Sequence, residues 1–402
     1  MTSSAIRTVG AAVFVCALGS AGVARAGQNP ASQDPIPPGT ITLGPVRITP
    51  SLILSDMGVD ENVFSEATSP KQDFTFTISP KTDVQLRMRR LLLKFTTAAD
   101  YVYYHEYKSE RGTNSSSSAR VDVELGRLAP YASISGLRSK RRINNEVDER
   151  ARHRDLSYAT GVAVKVASRT SVLVNGTRTT IEYQPGEEFR GVNLAESFNG
   201  YRRTVDAGLA LALTPVTTLT GTVAREEHRF DLSPIRDSNS WRVLSTVSFI
   251  PTGVVTGSAS VGYRRFEPLT ATEPGYSGLV SNVSVGATIY ERHQMTAVFN
   301  RDVQYSYEAE NTNYLGTGGT LTWTWLLVGP IDVRGLAGRY LMDYGEGHPS
   351  DTSMNYGGGM GYRFTNRTRA GVTVNWLRRN SDSAERTYRT RRIYAGLTWG
   401  TT

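Results

Sequence analysis

Apolar and polar residues alternate one by one along most of this chain, and no other feature restricts its fold so strongly. From Asp73 to Arg89, Phe74, Phe76, Ile78, Val84, Leu86 and Met88 fall on one face. Asp73, Thr75, Thr77, Lys81, Asp83, Gln85 and Arg87 fall on the other. Successive side chains of an extended strand point to opposite faces, so a period of two is a strand signature. The pattern returns in Leu156, Tyr158, Val162, Val164 and Val166, in Val205, Leu209, Leu211 and Leu213, and in Trp241, Val243, Val247 and Phe249. It returns again in Leu279, Val283, Val285 and Ile289, in Leu321, Trp323, Trp325 and Leu327, in Ala370, Val372, Val374 and Trp376, and in Ile393, Ala395, Leu397 and Trp399. Around 131–142, 218–229 and 331–343 either face could be the apolar one. The runs last about 10–16 residues, longer than strands of globular sheets and long enough for a tilted strand to cross a bilayer.

The connections alternate in length. Tight turns are read near 89–90, 127–129, 167–169, 214–216, 250–253, 291–293, 328–330 and 365–367. Longer polar segments are read at 65–72, 108–116, 144–152, 184–194, 231–237, 268–276, 308–311, 345–351 and 380–386. Short turns on one side and long loops on the other are the habit of bacterial outer-membrane barrels. The expectation is an all-β chain, a transmembrane antiparallel up-and-down β-barrel of about 18 strands over residues 45–402.

Composition agrees with an inside-out barrel. Only 39% of the residues are apolar. After residue 26 no apolar run reaches the roughly 18 residues of a membrane-spanning helix. The formal net charge is +8, and only 6 of the 45 basic residues are Lys. Basic charge alone would suggest nucleic acid, but here it is scattered without a basic block or recognition helix, so no nucleic-acid partner is expected.

Residues 1–26 read as a secretory leader: Arg7 is its positive start, residues 11–18 its apolar stretch, and Ala24-Arg25-Ala26 its cleavage site. The single cysteine, Cys16, lies in that stretch, so the mature chain is expected to have no thiol chemistry. Residues 27–44, rich in Pro, Gly, Gln and Ser, read as a flexible periplasmic lead-in. The compartment implied is the bacterial outer membrane, with its lipid as the first partner.

Aromatic residues gather at both ends of the strands. Tyr101, Tyr103, Tyr104, Tyr183, Tyr201, Tyr263, Tyr305, Tyr307, Tyr340, Trp241 and Trp376 fall at the outer ends, and Phe249, Trp323, Trp325, Phe364 and Trp399 at the periplasmic ends. Two such girdles mark membrane interfaces.

Residues 58–64 (Gly-Val-Asp-Glu-Asn-Val-Phe), the polar stretch 65–71 and Asp73-Phe74 resemble the opening of the putative beta-barrel porin 2 family. The Ser79-Pro80 step and the Arg-rich strand after it are also similar. The resemblance implies an outer-membrane channel, and relatives often accompany exopolysaccharide synthesis and export. Barrels of this kind often end in an aromatic residue, whereas here Trp399 precedes Gly400, Thr401 and Thr402.

The inward face carries Arg87, Arg202, Arg242, Arg264, Arg363, Arg369, Arg379 and Arg392, together with Lys81, Lys94 and Lys165. Asp83, Asp100, Asp122, Glu124, Asp206 and Asp302 are interspersed. Two readings stand side by side. Either these guanidiniums make a basic pore that attracts small anions or anionic polysaccharide, or they pair with carboxylates across strands and hold the barrel open. Asp56, Asp60, Glu61, Asn62 and Glu66 read as a solvated turn rather than a calcium loop, whose spacing they lack. The five histidines, His105, His153, His228, His293 and His348, sit at strand ends or loops, without any recognised catalytic motif. No catalysis, metal or cofactor is expected. The function expected is a porin-like channel; the alternative is a structural or adhesion barrel with a plugged lumen. The oligomeric state is not legible.

Overall fold

Strands of alternating character can satisfy their backbone in a bilayer only by pairing on both edges, which requires the sheet to close on itself. The computed structural model describes residues 39–249, 254–308, 311–345 and 350–400. The leader read at 1–26, Cys16, most of the lead-in, the turn at 250–253 and His348 lie outside the described residues.

Eighteen long strands form one closed antiparallel barrel. They are β1 (Val46–Asp60), β2 (Asp73–Met88), β3 (Leu91–Tyr104), β4 (Gly112–Val123), β5 (Leu128–Arg141), β6 (Ala151–Lys165), β7 (Thr170–Tyr183), β8 (Gly200–Thr214) and β9 (Thr217–Phe230). There follow β10 (Ser238–Phe249), β11 (Val255–Pro268), β12 (Tyr276–Ile289), β13 (His293–Tyr305), β14 (Asn313–Val328), β15 (Ile331–Asp343), β16 (Asp351–Arg363), β17 (Thr368–Asn380) and β18 (Tyr388–Trp399). Each strand pairs with its successor in sequence, and β18 returns to β1 from Leu52↔Trp399 to Asp60↔Arg392. The short strand Ile41–Leu43, inside the stretch read as a lead-in, folds back on Val46, Arg47 and Ile48. In β1 the register shifts between Ser55 and Gly58. Asp56 there has φ 54°, the local twist of a bulge.

One face of the wall is apolar and the other polar. Phe95, Val174, Leu209, Val243, Val261, Leu279, Leu321 and Val372 are exposed on the outside. Thr77, Asp155, Asn175, Asp206, Thr222, Glu226, Thr246 and Thr324 are buried on the inside. Such a surface is stable against hydrocarbon and unstable in water. The ambiguous segments resolve accordingly: Ile134 and Val223 face out, while Tyr131, Thr222 and Met342 are buried inside.

The structure corrects two sequence readings here. The segment read as a loop at 108–116 ends earlier. Ser115, Ser116, Ser117 and Ser118 belong to β4, paired with Ala99, Ala98, Thr97 and Thr96. Serine carries no apolar signal, yet both neighbouring strands hold it extended. Asp60 and Asn62 are each 1% exposed, so their turn is not solvated. Asn62 grips the chain: its Oδ1 accepts from Glu66 N at 2.9 Å and its Nδ2 donates to Glu66 O at 2.8 Å.

Candidate functional site

The long loops do not all stand out from the barrel. The loop between β5 and β6, residues 142–150, turns inward. Asn144 Oδ1 accepts from the N–H groups of Glu146 and Val147 at 2.9 and 3.0 Å and so bends the loop tip. This buries Ile143 and Val147 against Phe189, Leu194, Phe198, Phe230 and Tyr307. The loop between β7 and β8 supplies its side through the helix α1 (Leu194–Phe198), capped by the Asn193 side chain. The spacing of four puts Leu194 and Phe198 on one helix face, and both are buried. Phe198 stacks on Tyr307 at 4.1 Å. Tyr183 and Tyr307 share a hydroxyl–hydroxyl bond at 2.9 Å.

Tyr104, Tyr183, Tyr307 and Tyr314 are buried, which corrects the outer-girdle reading of the first three. Tyr305 likewise packs on His228, Phe230 and Phe266. Strand-end position shows how far along the barrel a residue lies, whereas its parity decides the face. These rings reach the loops rather than lipid.

The same loop is tied across the mouth by ionic contacts. Arg379 of β17 is fully buried. It donates to Asp351 at 2.7 Å, to both oxygens of Asp148 at 3.0 and 3.1 Å, and to the carbonyls of Glu146 and Asn145 at 3.0 and 3.2 Å. Glu146 accepts from Ser306 Oγ at 2.7 Å, Tyr307 N at 2.9 Å and Tyr344 Oη at 2.9 Å. Burial pushes the Glu146 carboxyl above its usual range despite these three donors. Arg142 and Arg150 both donate to Val63 O, and Arg150 also to Glu110 at 2.7 Å. Arg386 joins Glu308 to Asp351 at 2.6 and 2.9 Å.

Farther down the wall, charges balance. Arg264 bridges Glu226 at 2.8 Å and Asp302 at 2.7 Å. Arg242 contacts the same two carboxylates. Arg392 pairs with Asp60 at 3.1 Å across the seam. Arg242, Arg264, Arg379 and Arg392 each pair with carboxylates.

The end with short turns differs. Asp332 of β15 is 0% exposed and faces three guanidiniums. Arg369 meets it with a two-pronged contact at 2.8 and 2.6 Å. Arg334 Nε lies 3.2 Å away and Arg363 Nε 3.6 Å away. Along the same rim Arg87 lies near the end of β2, Lys94 near the start of β3 and Arg47 near the start of β1. Their alternation places them on the inward side. Arg202 projects inward from β8 near the opposite end.

All five tryptophans point away from the lumen by the same parity. Trp241 and Trp376 lie toward the long loops, and Trp376 stacks on Tyr356. Trp323, Trp325 and Trp399 lie toward the short turns. His293 stacks with Trp323 and Trp325 at 5.9 and 5.7 Å. Sequence reasoning missed Asp332, Arg334 and Glu226, which sit in the segments of ambiguous face, and Asp148, which sits in a loop. The Asp332–Arg334 step of two, directly after the Gly329-Pro330 turn, was the available signal.

An apolar belt outside, a charged interior and closure by eighteen strands define an outer-membrane β-barrel of the porin type. The chain belongs to the putative beta-barrel porin 2 family, whose model matches residues 34–400. Among solved structures it is similar to OccK2 (OpdF) of Pseudomonas aeruginosa, with 11% identity, a TM-score of 0.50, and 88% of this chain and 97% of that chain covered. It is also similar to the outer membrane protein opdK of Pseudomonas aeruginosa, with 9% identity, a TM-score of 0.49, and 88% and 98% covered. A BenF-like porin from Pseudomonas fluorescens Pf-5 shows 10% identity, a TM-score of 0.49, and 88% and 98% covered. At these identities the likeness is one of fold. The search of curated proteins returned no match.

Proposed function

We propose that this protein is a passive, non-enzymatic outer-membrane channel for small anionic solutes. Its long loops face the cell surface and its short turns face the periplasm. The observation that carries this reading is the uneven charge of the lumen. Carboxylates match the guanidiniums of the Glu226–Arg242–Arg264–Asp302 quartet, whereas among the described residues a single carboxylate, Asp332, pairs with Arg334, Arg363 and Arg369 at the other end. A surplus of fixed positive charge between low-dielectric walls raises the local concentration of anions. Arg47 adds to that surplus at the rim, while Trp241, Trp323, Trp325, Trp376 and Trp399 anchor the barrel at the two interfaces.

The crossing of residues 142–150 favours small solutes over a threading polysaccharide, which would have to displace a loop held by Arg379 and Glu146. It also favours a second reading, a barrel shut at rest. Reversal potentials in a planar bilayer under a salt gradient separate the two. A reversal potential displaced toward that of chloride supports the channel. An inserted, folded barrel that passes no current supports the shut barrel.

A further inference from the structure

We propose that Arg334, Arg363 and Arg369, gathered on Asp332, form a saturable binding site for a small oxoanion, a carboxylate or a phosphate, at the short-turn end of the lumen. This deepens the anion-channel reading and rests on it for its physiological sense.

The geometry separates the three arginines into one that is used and two that are not. Arg369 spends its fork on both oxygens of Asp332, at 2.8 and 2.6 Å. Both Asp332 oxygens are thereby engaged, and the carboxylate is hidden from water. Arg334 and Arg363 approach the same carboxylate through Nε at 3.2 and 3.6 Å, and neither Nε reaches it with good hydrogen-bond geometry. Their side chains remain 24% and 21% exposed, against 12% for Arg369. Two guanidiniums thus keep charge and N–H donors for something else.

The wall is shaped to permit this. A Cβ at Gly361 would stand 2.1 Å from Arg369 Nη2, and one at Gly371 would stand 3.0 Å from its Nη1. The two glycines let the Arg369 guanidinium lie close against β16 and β17. Three like charges this close repel one another, and one carboxylate offsets only one of them. A planar or tetrahedral oxoanion would offset the surplus and accept from the forks in two-pronged fashion, which a halide cannot do.

The test uses the full mature chain in detergent at low ionic strength, titrated calorimetrically with inorganic phosphate and, separately, with acetate. The double variant Arg334→Gln, Arg363→Gln keeps the Arg369–Asp332 pair, so the buried carboxylate stays matched. The expected result is saturable binding of at least one probe by the native chain and an affinity at least tenfold weaker in the double variant. The variant Arg334→Lys, Arg363→Lys, which keeps charge but not the fork, should fall between. Should the double variant not fold, Arg334→Gln alone carries the comparison. Absence of saturable binding of either probe, or equal affinity in the native chain and the Gln variant, overturns the proposal. Bilayer currents recorded in parallel keep the two readings apart. Binding without current upholds the site and removes the channel, whereas anion-selective current without binding removes the site and upholds the channel.

Discussion

Replacing Arg379 by Met should release the inward loop while leaving the barrel intact. Arg379 is fully buried and serves Asp148, Asp351 and the carbonyls of Asn145 and Glu146 at once. Removing one partner of a buried ion pair commonly costs about 3–5 kcal/mol, because the carboxylate left behind has lost its compensation. Here part of that loss is recovered. Asp351 keeps Arg386 at 2.9 Å, and Asp148 keeps the Tyr388 hydroxyl at 3.1 Å. The lower end, about 3 kcal/mol, is therefore the appropriate magnitude. The strand ladder of β17 does not pass through the Arg379 side chain, so the cost falls on docking of residues 142–150. At about 1.4 kcal/mol per factor of ten, the open population of the loop should rise by roughly a hundredfold. Amide hydrogen exchange reads this directly, since Glu146 N and Val147 N are held by Asn144 inside the docked loop. Their protection should drop by about two orders of magnitude while that of the β16–β18 ladder stays within a few-fold. If loop and ladder lose protection together, Arg379 is a barrel residue and not a loop latch, and the reasoning fails.

Other outcomes follow from the same geometry. Arg at Val374, on the lipid side of β17, should cost on the order of 2–4 kcal/mol in refolding titrations, whereas Arg at its inward neighbour Thr373 should cost much less. Equal costs would contradict the assigned faces. Single cysteines at Lys108 and Asp382 should react with an impermeant maleimide on intact cells, while one at Asn366 should require a permeabilised outer membrane. Labelling at Asn366 on intact cells would reverse the strand direction. Burial raises the Glu146 carboxyl, so its neutral form is the one the docked loop favours. Its contribution is then complete below the ordinary carboxylate range and is lost as pH rises through the raised value. Loop protection should accordingly weaken with rising pH, and Glu146→Gln should flatten that dependence; an unchanged slope in the variant would assign the effect to another group.

The strand count and the alternation of turns and loops were legible because each rests on a local signal. A period of two shows in any window of ten residues, and a turn such as Gly329-Pro330 interrupts it visibly. What the arginines touch was not legible. Arg242 and Arg264 converge on Glu226 of β9 and Asp302 of β13, strands whose register depends on every intervening hairpin. The inward loop was hidden for a different reason. Ile143, Val147, Phe189 and Phe198 lie in segments too short and too polar to show any period, and their burial depends on strands on the far side of the barrel. The serines of β4 failed as strand signals because a small hydroxyl side chain fits loop, lumen and strand alike.

The seam between β1 and β18 bears on how this barrel comes into being. Every other pairing joins neighbours in sequence, so seventeen hairpins can zip in order with short loop closures. Closing the seam must bring together residues 330 apart, as in Thr390 Oγ1 to Asp60 and Arg391 to Glu61. Most of the conformational search is therefore deferred to a single late event, and until it occurs two unpaired edges remain open to pairing with other chains. The Asp60–Arg392 ion pair at the last rung gives that event a landmark, because a slip of one residue would turn Arg392 to lipid and Arg391 to the lumen. The bulge at Asp56 leaves the upper and lower parts of β1 in different registers, so the two halves of the seam have to be found as one fit. The time-limiting step of biogenesis should accordingly lie in the marriage of the two termini of the sheet, and not in the folding of any hairpin between them.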